Sequence, residues 1–128
     1  MKNRDIFSLA LALLAERGDE VENGDYVERA GYLISAFCTE VLAVNRRVAE
    51  TLGASYPSEV PVYLSLDDPF PLCECLSAAA GAYLAAMLVL EEDAELSDKL
   101  FMRYCDMIAT LSAGLPMQSE PIVNKYGV

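Results

Sequence analysis

Apolar positions recur at intervals of three and four through most of the chain, the period of an α-helix rather than of a strand. The first such run covers Arg4 to Arg17. Ile6, Leu9, Leu13 and Leu14 share a face, with Ala10 between them. Gly18 is placed to end it, since glycine adopts the left-handed C-cap conformation freely. Asp19 to Gly24 reads as an acidic linker without periodicity. Asp25 then stands at an N-cap position, with Glu28 three residues on to complete a capping box. The longest stripe follows from Tyr26 to Leu52, through Val27, Ala30, Leu33, Ile34, Phe37, Val41, Val44 and Val48. Read as one helix it would be about 40 Å long at a rise of 1.5 Å per residue. That outruns a small core, so its far end is expected to meet a partner. Gly53 ends it, and Arg46 and Arg47 lie late in it, where cations suit the helix dipole.

The pattern breaks from Ala54 to Pro71, which holds Pro57, Pro61, Pro69 and Pro71 of the chain's 6 prolines. Proline breaks helices and drives the preceding residue to extended geometry. Val60, Val62 and Leu64 alternate, which predicts a short edge strand or an extended arm. A loop of this length usually has a functional or partner-bound role.

Two further helices are expected. One runs from Leu72 to Glu91 with Leu76, Ala79, Tyr83, Ala86 or Met87, and Leu90 as its stripe. Ser77, Gly81 and Ala85, and likewise Ala78, Ala82 and Ala86, repeat every fourth residue, and small side chains at that spacing let backbones approach closely. Gly81 costs about 1 kcal/mol in a helix relative to alanine, which marks its position as sterically constrained. The last helix runs from Ala94 to Ser112, with Leu96, Leu100, Tyr104, Met107 or Ile108, and Leu111 facing inward and Gly114 to end it. Leu115 to Val128 reads as an extended tail, because Pro116 and Pro121 disfavour a regular helix. The predicted fold is all-α: a single domain over residues 1–128, a bundle of about four helices with a long proline-rich loop. Residues 1–24 supply the N-terminal helix and acidic linker, and residues 115–128 the tail.

Composition then narrows the function. Hydrophobic residues make up 54% of 128, enough for one globular core. The chain has no histidine, the commonest general acid–base group and metal ligand. A net charge of −11 disfavours nucleic-acid backbones and anionic membranes as partners. Ile6 to Ala15 follows Lys2 and Arg4 as a leader peptide would, but Asp5 interrupts the basic end and no cleavage site follows, so no leader is expected. Leu76 to Leu90 is too short to span a bilayer. A soluble cytoplasmic protein is expected.

The 4 cysteines are Cys38, Cys73, Cys75 and Cys105. Cys73-Glu74-Cys75 is a C-x-C, not the C-x-x-C of a zinc ribbon, so reduced and mostly buried thiols are expected. Asp67-Asp68 and Glu91-Glu92-Asp93 flank predicted helices, where capping and solvation account for them better than a hard cation. No nucleophile elbow, phosphate loop or dinucleotide fingerprint is present. No catalytic residue, cofactor or metal is therefore assigned, and an enzyme is not expected.

The proline-containing acidic turn Leu66-Asp67-Asp68-Pro69-Phe70-Pro71 leads into a helix rich in Ala, Gly and Tyr. Leu88-Val89-Leu90-Glu91-Glu92-Asp93 and a helix with Phe101 and Tyr104 follow. On these segments the chain resembles the small helical head–tail connector (adaptor) proteins of tailed bacteriophages and prophages. The ending Glu120 to Gly127 is similar to the tail of such proteins in prophages of Gram-positive bacteria. The resemblance covers about half the chain. It implies a non-enzymatic subunit of a homo-oligomeric ring beneath the portal protein, joined to head-completion and tail proteins. DNA would pass through without specific binding, no membrane would be involved, and the ring would lie in the host cytoplasm or the virion neck. Candidate assembly residues are Val60, Val62, Leu64, Phe70 and Gly81, with Ile122, Val123 and Tyr126 of the tail. Burying such apolar side chains on a neighbour is worth roughly 25 cal/mol per Å². The alternative is a small helical ligand-binding or protein-interaction domain, a homodimer or one with a pocket lined by Tyr83, Met87 and Phe101.

Overall fold

The computed structural model describes residues 1–15 and 23–115. Among these, five α-helices form and no strand does: α1 (Asn3–Ala15), α2 (Asn23–Glu40), α3 (Leu42–Leu52), α4 (Ser77–Val89) and α5 (Ala94–Gly114). A single 3₁₀ turn, Glu74–Leu76, leads into α4. The all-α expectation holds. No described helix is long and apolar enough to cross a membrane.

The core is built around α4. Its Ala79 to Ala86 are all buried, as are Leu88 and Val89. The helix packs against α1, α2 and α5. A helix that is apolar on every side belongs inside a domain, because no face gains from water. The stripe expected on it is therefore corrected: nearly the whole circumference is covered, and Leu90, assigned inward, is 47% exposed just beyond the helix. Ile6, Phe7, Ala10 and Leu14 of α1 and Tyr26, Ala30, Ile34, Phe37 and Cys38 of α2 close over it. Leu100 and Tyr104 of α5 complete the cover.

The single helix expected from Tyr26 to Leu52 is two. Val41 leaves helical geometry, with φ −105° and ψ 14°, and α3 starts at Leu42. The hydrogen bonds Val41 N–H to Phe37 C=O and Asn45 N–H to Val41 C=O persist, so the backbone pairing runs through the interruption. β-Branched Thr39 and Val41 weaken helix preference there. The helix also begins at Asn23, inside the predicted linker, which puts Asp25 in its first turn, paired with Arg29 at 3.2 Å. Gly53 terminates α3 as expected, at φ 66°, and Ala54 N–H closes back on Ala49 C=O at 2.9 Å. The predicted C-cap at Gly18 lies outside the described residues.

The proline-rich loop forms no strand and is strapped onto its own domain. A helix start leaves its first N–H groups without intrahelical partners. In α1 the loop supplies them: Asn3 N–H donates to Asp68 C=O at 3.0 Å and Arg4 N–H to Leu66 C=O at 2.9 Å. The Asn3 side-chain amide donates to Ser65 C=O, and Arg4 pairs with Asp67 at 2.9 Å. Phe70 N–H donates to Met1 C=O. Further along, Leu64 N–H donates to Gly31 C=O and the Ser35 hydroxyl to Pro61 C=O. An alanine Cβ at Gly31 would lie 2.5 Å from the Leu64 carbonyl oxygen, so the strap crosses α2 where only glycine leaves room.

Candidate functional site

The site begins with what the strap leaves outside. Leu64 and Phe70 are buried in the domain, and Val60 is partly so. Val62 is 79% exposed, and Tyr63 beside it stands edge-on to Tyr32 of α2, with ring centroids 4.9 Å apart. The alternation expected of Val60, Val62 and Leu64 does not hold, since Leu64 is turned in and Val62 out, and Val62 joins Tyr32 and Tyr63 in an exposed apolar crest. Tyr32 carries no special signal within α2, and only its proximity to the loop identifies it.

A second apolar surface lies between the start of α4 and the second half of α5. It is a groove of about 500 Å³ lined by Ala78, Ala79, Met107, Ile108 and Leu111, with Arg103 and Asp106 among its polar neighbours. The alanines leave it open, and the half-buried side chains of α5 form the opposite wall. The ligand pocket considered around Tyr83, Met87 and Phe101 is not where the opening occurs. Tyr83 and Phe101 instead join Phe37 and Tyr104 in a packed aromatic cluster, with Tyr83 and Tyr104 centroids 5.1 Å apart. The Tyr104 hydroxyl reaches Glu40 at 3.0 Å; burial, then this hydrogen bond, pushes the phenol well above its ordinary range. A smaller hollow of about 210 Å³ lies beside α3, between Asn45, Ala49 and Tyr56.

The remaining candidates divide clearly. Gly81 is buried, and a Cβ there would lie 2.5 Å from Leu9 Cδ2, so its close approach is to α1 of the same chain. Ile122, Val123 and Tyr126 lie outside the described residues. The acidic pairs are engaged at turns. Asp93 caps α5, accepting from Leu96 N–H at 3.0 Å, and Glu92 accepts from the Tyr26 hydroxyl at 2.7 Å. Asp67 is held below the ordinary carboxylate range by its hydrogen bond from Arg4 and then by the Arg4 charge. Among the described residues no three side chains of metal-binding type cluster.

The cysteines depart from the expectation of mostly buried thiols. Cys38 and Cys73 are buried, whereas Cys75 and Cys105 are exposed. Burial pushes Cys38 up to about 12. The Cys75 thiol donates to Cys73 Sγ at 3.0 Å, and desolvation followed by this hydrogen bond raises Cys75 to about 11. Cys73 is fixed from its other side, with its N–H on Asn45 Oδ1 at 2.9 Å. The C-x-C spacing was visible in the sequence; what it could not show is that the turn into α4 brings the sulfurs together.

Fold and site together define a small acidic all-α domain around a buried alanine-rich helix, bearing two separate apolar surfaces. Comparison with protein-family models, with curated proteins and with solved structures finds no match to the chain.

Proposed function

We propose that the chain is a non-enzymatic assembly subunit, and specifically a head–tail connector (adaptor) of a tailed phage or prophage. Copies would form a ring beneath the portal and join it to head-completion and tail proteins in the virion neck. The observation that carries the assembly reading is the presence of two unlike apolar surfaces on one small domain, the Tyr32–Val62–Tyr63 crest and the α4–α5 groove. Unlike surfaces that fit each other make a head-to-tail contact, and such contacts close into a ring when the rotation permits. The net charge of −11 suits a lumen that DNA crosses without sticking. The resemblance of the Leu66–Pro71 turn and the helix after it directs the assembly reading to the connector class.

The test is to incubate the chain with the portal protein of the same genome and image the complex by electron microscopy. Ring density below the portal is expected, and Val62→Asp should remove it while leaving the fold intact. Bare portals, with both proteins folded, would defeat the connector reading. The groove favours one second reading, since about 500 Å³ lies in the range of small-molecule sites. Native mass spectrometry showing a small molecule retained by the chain, and lost when Ala78→Met fills the groove, would favour that reading instead.

A further inference from the structure

The Cys73–Cys75 pair lies at the rim of the α4–α5 groove, and its geometry places two thiols in contact. The sulfurs are 3.0 Å apart and already share a hydrogen bond. A disulfide needs them at about 2.05 Å, a further approach of about 1 Å that side-chain rotation can supply. The backbone of Cys73 is held by Asn45, which is 2% exposed, so one residue of the pair is anchored at its main chain. The other, Cys75, is open to solvent at the edge of the α4–α5 groove. Tyr56 borders the pair: burial first, then the charge and hydrogen bonding of Cys73, hold its phenol protonated. A ring closed over the single residue Glu74 is short and strained, and strained, exposed disulfides are the readily reduced ones.

We propose that Cys73 and Cys75 form a thiol–disulfide exchange site that takes low-molecular-weight disulfides as oxidant. Exchange runs through the fraction of the pair that has lost one proton, with the proton that remains shared between the two sulfurs. Cys75, the accessible member, attacks one sulfur of the incoming disulfide while its proton passes to Cys73. A mixed disulfide forms on Cys75 and one small thiolate leaves. The Cys73 sulfur then attacks Cys75 Sγ and gives up its proton, and the second small molecule leaves as a thiol. The protein pair is oxidised by two electrons, and the small disulfide is reduced to one thiolate and one thiol. The reverse sequence, with a small thiol as reductant, restores the dithiol.

The reduced full chain is exposed to excess glutathione disulfide, quenched with acid, alkylated with N-ethylmaleimide and mapped by peptide mass. The expected result is a Cys73–Cys75 peptide that has lost two hydrogens and takes no maleimide, and that regains both thiols in dithiothreitol. Cys105, exposed with no thiol partner among the described residues, is expected to carry glutathione alone. Cys73→Ser is expected to trap glutathione on Cys75, because the resolving sulfur is gone. Complete alkylation of Cys73 and Cys75 in the native chain overturns the proposal, as does oxidation that links either to another cysteine. The native-chain measurement decides the matter even where Cys73→Ser fails to fold.

Discussion

Replacing Gly31 by alanine probes how firmly the proline-rich strap is seated. Within a helix the change alone should stabilise by about 1 kcal/mol, through propensity. The new Cβ would however stand 2.5 Å from the Leu64 carbonyl oxygen and 2.3 Å from Tyr63 Cε1. Tyr63 is 46% exposed and its ring can swing outward. The carbonyl cannot retreat unless the strap moves. Moving it breaks the 3.2 Å bond from Leu64 N–H to Gly31 C=O, worth about 0.5–1.5 kcal/mol. It also lifts Leu64 from its buried seat, and fully exposing such a side chain costs about 1.5–3 kcal/mol. Set against the propensity gain, the net loss should be about 1–3.5 kcal/mol.

Gly81→Ala is the matched control. Its Cβ also meets Leu9, with Cδ2 at 2.5 Å and Cγ at 2.7 Å, but these atoms belong to a side chain that is 38% exposed and can yield by turning about its own bonds, where a backbone carbonyl cannot. An off-rotamer leucine costs about 0.5–1.5 kcal/mol, which roughly cancels the propensity gain. Urea unfolding of the three proteins measures the difference. A loss of about 2 kcal/mol moves the midpoint by roughly 1 M at the slopes usual for small domains. A Gly31→Ala protein as stable as the parent would refute the reasoning, because the strap would then not be held against that backbone.

Gly81→Leu should destabilise where alanine does not, by about 1–3 kcal/mol of overpacking against α1; a fully stable variant in urea would show that α1 gives way freely. Asn45→Ala should cost about 1–3 kcal/mol, since it leaves the Cys73 N–H without its 2.9 Å partner; an unchanged melting temperature would argue that water replaces the amide at no cost. Alkaline pH should destabilise the fold in part through Cys38, whose thiol is raised from 9.0 to about 12 by burial. The folded state keeps this proton while the unfolded chain releases it, so the contribution is complete below pH 9.0 and disappears as pH rises towards about 12. Cys38→Ala should show a shallower decline of urea midpoint across that window, and an identical decline would exclude the thiol as a cause.

Helix existence was legible because apolar periodicity is local. The interruption at Val41 was not, since the apolar stripe and the backbone hydrogen bonds both continue through it. The status of α4 was half legible: between Ala78 and Leu90 the sequence offers no charged side chain, which marks burial on all sides, yet a stripe can always be drawn through a run of alanines. Gly31 sits in a helix at the same energetic cost as Gly81, but Val27 at i−4 breaks the repeat of small residues that marks Gly81, so it did not stand out. The seat of the strap was illegible for a different reason. It depends on main-chain bonds from Asn3 and Arg4 to Asp68 and Leu66, and main-chain pairing leaves no side-chain pattern. The crest inherits that blindness, because an extended chain would put Val62 on the same side as Leu64, and only the irregular path of the strap turns Val62 outward.

Charge provides the sharpest test of whether those apolar surfaces are meant for copies of the same chain. Each copy carries a net charge of −11, so any contact between copies works against repulsion. Part of the positive charge is already committed within the domain, in Arg4–Asp67, Arg29–Asp25 and Lys99–Glu95 pairs. Burial of Val62, Tyr63 and Tyr32 in a neighbour's groove would be driven by apolar area, a term that salt does not weaken. The repulsion is screened, with a Debye length that falls from about 30 Å at 0.01 M salt to about 8 Å at 0.15 M. Self-association through the crest and groove should therefore strengthen as salt rises over that range, read by sedimentation velocity at fixed protein concentration. A basic partner drawn to the acidic surface would behave in the opposite sense, because screening removes its attraction. Self-association that weakens with added salt would thus rule out the crest-into-groove contact and place charge pairing at the centre of assembly.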